Sequence, residues 1–233
     1  MENIKYLYGK KAILSELIEG TGSLRLCDIR HYERIENEKM RDKEDRKIYE
    51  YEPGMVEICV NGFVIPKEDI VSNIKMELQT RLCYCICFSN KKDDPELYER
   101  FEADVCIEFD IGKLVEFLEF VFPKDKGCKT EHKSVCYYGV NPDFAHTSYH
   151  NNAFMKNRFF CVEDEYRVAT FFPHDENTVL IKKEQKLDLL KECRCLPENF
   201  SSCQCYFMYV DNGLDSKFKS YISAVYERKL ENV

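Results

Sequence analysis

Residues 159–172 read FFCVEDEYRVATFF, an aromatic and β-branched run that stops at Pro173 and is broken by four charges. Such a composition predicts a strand, and along a strand successive side chains point to opposite faces. Glu163, Glu165 and Arg167 then share one face between Cys161 and Ala169, while Val162, Asp164, Tyr166 and Val168 occupy the other. Side chains two apart lie roughly 6.5–7 Å from each other, so two carboxylates and a guanidinium stand in a row. Two readings are open. The row is a solvated face whose ion pair contributes at most about 1 kcal/mol. Alternatively it edges a cleft, where Arg167 keeps one carboxylate ionised and oriented while the other meets a ligand.

Outward from this strand the chain reads as more strands than helices. IKYLY at 4–8 and SLRLC at 23–27 flank an apolar helical stripe of Ala12, Ile13, Leu17 and Ile18 that Gly20 closes. Residues 30–46 are mostly charged and read as a solvated helix or mobile loop suited to a flexible lid. Asn61-Gly62 between two β-rich runs marks a hairpin, and RLCYCICFS at 81–89 continues the sheet. Asp94-Pro95 starts a short helix before the strand DVCIEFD, and Asp110 caps a second helix with Leu114, Val115, Leu118, Val121 and Phe122 on its buried side. SVCYYG at 134–139 is another strand, and residues 141–156 are loop-like. In the tail, 177–181 and 203–210 read as strands and 182–193 and 215–230 as helices. Strands and helices do not alternate regularly, so the expected fold is α+β, one domain over residues 1–233 with a mixed or antiparallel central sheet flanked by helices.

A chain of 233 residues is long enough to bury a sizeable core. Its net charge of −8 and pI near 5.3 leave no basic footprint for general polyanion or anionic-membrane binding. The N-terminus lacks a signal-peptide pattern, and no apolar run approaches the roughly 18 residues of a membrane span, which predicts a soluble cytoplasmic protein. Thirteen scattered cysteines, an odd number, suit a reducing compartment.

Cys83, Cys85 and Cys87 would share a strand face, and Cys193, Cys195, Cys203 and Cys205 form a C-x-C-x7-C-x-C arrangement. Structural zinc ligands usually come with two to four residues between partners, and buried cysteine behaves as a small hydrophobe, so packed, reduced thiols and no metal are expected. His146 and His150 are four apart but lack the glutamate of a zinc-protease helix. Phosphate-cradling glycine loops and a G-x-S-x-G elbow are absent, which removes the mechanical parts of Rossmann, P-loop and serine-hydrolase sites.

The order LRL at 24–26, HYER at 31–34, CICFS at 85–89, VCIEFD at 105–110, VCYYG at 135–139 and EDEYR at 163–167 resembles the bacterial domain-of-unknown-function family DUF2971. The resemblance spans roughly residues 4–170, although the chain has no tryptophan where that family is Trp-rich. Through strand order and a late-strand glutamate, that family is distantly similar to ADP-ribosyltransferases of toxin and phage-defence systems. The resemblance implies NAD as co-substrate, a nucleic-acid or protein acceptor, and a toxin or defence role, while the hydropathy and charge of the sequence predict no membrane partner. It makes Glu165 the carboxylate that stabilises an oxocarbenium-like ribose, with Glu163 or Arg167 setting its charge state. Tyr6 or Tyr8 would stack on nicotinamide and Arg25 would bind a ribose or phosphate. Against these roles stand a tyrosine packed at a sheet edge and a solvated arginine. Two other functions use the same residues: a non-catalytic nucleotide- or partner-binding module, and an NAD or nucleoside glycohydrolase.

Overall fold

In the computed structural model, which describes residues 3–34, 37–143, 151–173, 178–180, 186–188, 195, 203–210 and 218–229, the chain opens with strand β1 (Ile4–Gly9). Helix α1 (Lys11–Glu19) follows and ends where Gly20, at φ 83°, turns its N–H back to the carbonyls of Glu16 and Leu17. Strand β2 (Leu24–Asp28) leads through a 3-10 turn at Ile29–Arg34 to β3 (Arg46–Tyr51). The Asn61-Gly62 signal is a hairpin of β4 (Cys59–Val60) and β5 (Phe63–Val64), with both turn residues at positive φ, 51° and 83°. β6 (Ile74–Gln79) then pairs antiparallel with β3.

Strand β7 (Cys83–Ser89) is almost wholly buried. Asp94 caps helix α2 (Pro95–Arg100) by accepting the N–H groups of Glu96 and Leu97, and Asp110, the last residue of β8 (Val105–Asp110), caps α3 (Ile111–Val121) by accepting from Lys113. Next come β9 (Lys129–Ser134), β10 (Cys136–Tyr138), β11 (Met155–Asn157) and β12 (Glu165–Phe171). The short pair β13 (Thr178–Leu180) and β14 (Lys186–Asp188) precedes β15 (Phe207–Val210) and β16 (Ile222–Glu227).

Eight strands form one antiparallel sheet, an α+β architecture. On one edge β7 pairs along its full length with β12, which also pairs with β9. The opposite edge is shared: β1 joins at Tyr6↔Ser89 and carries β8 and β16 beyond it, whereas β2 joins at Cys27↔Cys85 and carries β15. β1 and β2 run the same way, so both cannot pair with the middle of β7, and their registers stop short of Ile86–Phe88. The sheet therefore forks there.

Alternation along the strands gives the two faces different cores. Ile86, Phe88, Ile107, Phe109 and Val168 pack under Leu114, Phe117 and Leu118 of α3. The other face sets Cys83, Cys85, Ala169 and Phe171 against Ile29 and Phe154. Burying one such Leu or Phe side chain stabilises the fold by about 1.5–3 kcal/mol.

Several expectations need correction. The strand expected over 159–172 starts only at Glu165, because Arg158–Glu163 forms a 3-10 turn closed by Asp164 at φ 41°. Residues 218–227 are a 3-10 turn and a strand, since β16 satisfies the open edge of β8. Lys186–Asp188, expected within a helix, is a strand, and the rest of 182–193 lies outside the described residues. The strand expected over 203–210 begins at Phe207, so Cys203 and Cys205 sit in the turn before it. Nor are residues 30–46 simply solvated, since Glu44 is fully buried.

Candidate functional site at the fork of the sheet

Period-two alternation places Glu165 and Arg167 on the same face of β12 as Ala169 and Phe171, opposite Ser89 and Cys87 of β7. Glu163 lies off the strand but returns to the same place. Asp164 adopts the left-handed conformation, held by Asn90, whose backbone N–H and side-chain amide both donate to the Asp164 carbonyl at 2.8 and 3.0 Å. Ser89 Oγ fixes the preceding peptide by donating to the Glu163 carbonyl at 2.7 Å.

The side chains close into a buried ionic network. Arg167 sets Nε and Nη2 2.7 Å from Glu165 Oε1 and reaches both oxygens of Glu44 at 3.0 and 3.1 Å. Its Nη1 also donates to the Ala153 carbonyl at 2.6 Å, so every guanidinium nitrogen is engaged. Lys156 Nζ bridges Glu163 Oε2 at 2.7 Å and Glu165 Oε2 at 3.0 Å. Arg100, from α2, donates to Glu163 Oε1 at 2.9 Å, and Lys47 pairs with Glu44. Glu44 and Arg167 show no exposure, and Glu163, Glu165 and Lys156 only 4% each.

Burial alone would raise all three carboxyls, and the cations decide which remain charged. Burial pushes Glu165 up, but Arg167 and then Lys156 outweigh it and hold the carboxyl at about 2. Glu44 follows the same pattern, driven well below the ordinary carboxylate range by Arg167, Lys47 and Lys156 against burial. Glu163 goes the other way: burial, with help from the charge on Glu165, raises it despite Lys156 and Arg100. Two adjacent carboxyls are thus pushed in opposite directions, an arrangement that suits one to remain ionised and the other to exchange a proton.

A cavity of about 590 Å³ opens in the fork between β1 and β2, with Ile86–Phe88 at its back. This is the size range of small-molecule sites, roughly 300–1,000 Å³. Glu163, Glu165 and Lys156 line it, as do Tyr6, Tyr8 and Arg25. Tyr8 is held in place because its hydroxyl donates to the Lys91 carbonyl and accepts from the Asp94 N–H, both at 2.8 Å, while its ring packs edge-on to Tyr98. Arg25 is exposed and lies over the Phe207 ring at 4.5 Å. His31, also in the wall, is kept neutral at about 4 by burial and by the positive charges of Arg25 and Arg34.

Five of the six residues singled out in the sequence therefore meet in one cavity, and Arg167 stands behind Glu165. Sequence reasoning missed Glu44, Lys156, Arg100 and His31. Glu44 was hidden in a charged segment, and Lys156 and Arg100 carry no local pattern that marks them. His31, within the HYER stretch, was the one with a local signal.

Elsewhere, the described residues include one group with metal-ligand character, Cys195, Cys203 and Cys205. His146 and His150 lie outside the described residues. Among the described residues no helix is long and apolar enough to cross a membrane. No protein-family model, no curated protein and no solved structure matches the chain.

Proposed function

We propose that the fork cavity is an NAD site and that the protein is an ADP-ribosyltransferase-like enzyme with a nucleic-acid or protein acceptor, serving as a toxin or defence effector. One observation carries this reading: Tyr6, Tyr8, Arg25, Glu163 and Glu165, from three separate segments, line a single cavity. The choice of NAD as ligand comes from the resemblance of the sequence to the family DUF2971, for which no family model matches the chain.

Loss of nicotinamide leaves positive charge on the ribose. Glu165, held ionised, stabilises that charge or the hydroxyl beside it, and Lys156 and Arg167 keep the carboxylate from moving. Glu163, with its raised pKa, takes the proton of the attacking acceptor. Tyr6 and Tyr8 supply aromatic surface for the nicotinamide or adenine ring, and Arg25 supplies a charge for phosphate. With water as acceptor, the same groups give an NAD glycohydrolase.

A second reading, a non-catalytic nucleotide- or partner-binding module, is favoured by the fact that both oxygens of Glu165 already receive a cation. Turnover separates the two. NAD labelled on its adenylate half is incubated with the protein alone and with DNA, RNA or protein, while free nicotinamide is measured. Label transfer or nicotinamide release that falls about 100-fold or more in Glu165→Gln supports the enzyme. NAD binding without either product supports a nucleotide-binding module, and neither binding nor turnover rejects the NAD enzyme and leaves a module for another partner.

A further inference from the structure

We propose that Cys195, Cys203 and Cys205 form a thiolate site for a zinc-class divalent cation, which clips the turn leading into β15. The three Sγ atoms lie within 4.8 Å of one another, and those of Cys195 and Cys205 are 3.8 Å apart. A zinc ion with Zn–S bonds of about 2.3 Å at tetrahedral angles requires sulfurs about 3.8 Å apart. This separation is nearly twice a disulfide bond of about 2.0 Å. The turn also aims a donor at one sulfur, since the Cys205 N–H points to Cys203 Sγ at 3.4 Å. Soft sulfur ligands of this kind select zinc over calcium or magnesium, which take oxygen.

The expectation of metal-free thiols rests on the usual spacing of zinc ligands and on buried cysteine behaving as a small hydrophobe, with Cys203 and Cys205 read as part of a strand. The strand begins two residues later, at Phe207, so Cys203 and Cys205 stand in the turn before it. The spacing of one residue between Cys203 and Cys205 works because the chain turns there, with the Phe207 N–H returning to the Gln204 carbonyl at 3.1 Å.

The site bears on the cavity without belonging to it. Tyr206 accepts the Asp28 N–H at 2.8 Å, Phe207 lies beneath Arg25 and 4.6 Å from the His31 ring, and Tyr209 lines the cavity wall. A clip before β15 therefore fixes the strand that braces Arg25 and His31.

The test is metal analysis of the full chain, purified under reducing conditions, supplied with zinc and freed of excess, combined with X-ray absorption at the zinc edge. The expected result is about one zinc per chain, bound by three or four sulfurs. Cys203→Ser/Cys205→Ser should lose it, whereas Cys59→Ser, an exposed cysteine in the β4–β5 hairpin, should retain it. The absorption spectrum of the wild-type protein stands even if the double variant fails to fold. Zinc below about 0.1 per chain, or a shell with fewer than three sulfurs, overturns the proposal.

Discussion

Glu165→Gln keeps the size and hydrogen-bonding reach of the side chain but removes the charge that Arg167 and Lys156 hold at 2.7 and 3.0 Å. The ordinary carboxyl value of 4.5 falls to about 2 here, because Arg167 and Lys156 overcome the effect of burial. At about 1.4 kcal/mol for each pH unit, the ionised carboxylate contributes of the order of 3 kcal/mol at neutral pH. For a chain of this length 1 kcal/mol moves the melting temperature by about 2–4 °C, so the variant should melt roughly 6–12 °C lower at pH 7. It should still be folded at 25 °C, since stabilities of about 5–15 kcal/mol are usual. The sign with pH is fixed. A depressed carboxyl stabilises fully above about pH 4.5 and loses this contribution as pH falls through about 2, so the gap between wild type and variant should close over that range. Thermal unfolding followed by circular dichroism at several pH values measures it. Melting temperatures equal within about 2 °C at pH 7, or a gap that widens in acid, would refute the reasoning.

Arg167→Met leaves Glu44 and Glu165 buried with too little positive charge and should cost about 3–5 kcal/mol in urea unfolding, while adding Glu44→Gln should restore part of the loss. Asp42, raised to about 6 by burial and by the charge on Glu44, stabilises only while protonated. Asp42→Asn should therefore raise stability by about 1–2 kcal/mol at pH 8 and change it little at pH 4; a larger gain at pH 4 would contradict this. Asp94→Ala removes the acceptor for two N–H groups at the start of α2 and should cost about 1 kcal/mol, and it should weaken the contact of Arg100 with Glu163 as well.

Local chemistry was legible where a few neighbouring residues decide the outcome. The caps at Asp94 and Asp110, the Asn61-Gly62 hairpin and the αL glycine after α1 each follow from side chains within one turn. The tail was misread because Phe218, Tyr221, Ile222 and Val225 satisfy a helical period while 222–227 also alternates as a strand, and only the open edge of β8 decides between them. Glu163, Glu165 and Arg167 could be picked out from their spacing, but their partners could not. Whether a charged residue is solvated or buried depends on which distant residue meets it, and Glu44 meets Arg167 across 123 positions of sequence. The fork was equally hidden, because it arises from two strands competing for the same stretch of β7.

The proposed function depends on the fork cavity taking NAD. Titration calorimetry of NAD into Glu165→Gln tests it most directly, since this variant keeps the cavity walls but not the charge that the proposed turnover requires. The expected result is saturable binding of about one NAD per chain with a dissociation constant below about 1 mM, weakened about tenfold or more when Arg25→Ala is added. The absence of saturable heat up to about 5 mM NAD in both the variant and the wild-type protein, each shown to be folded, would contradict it.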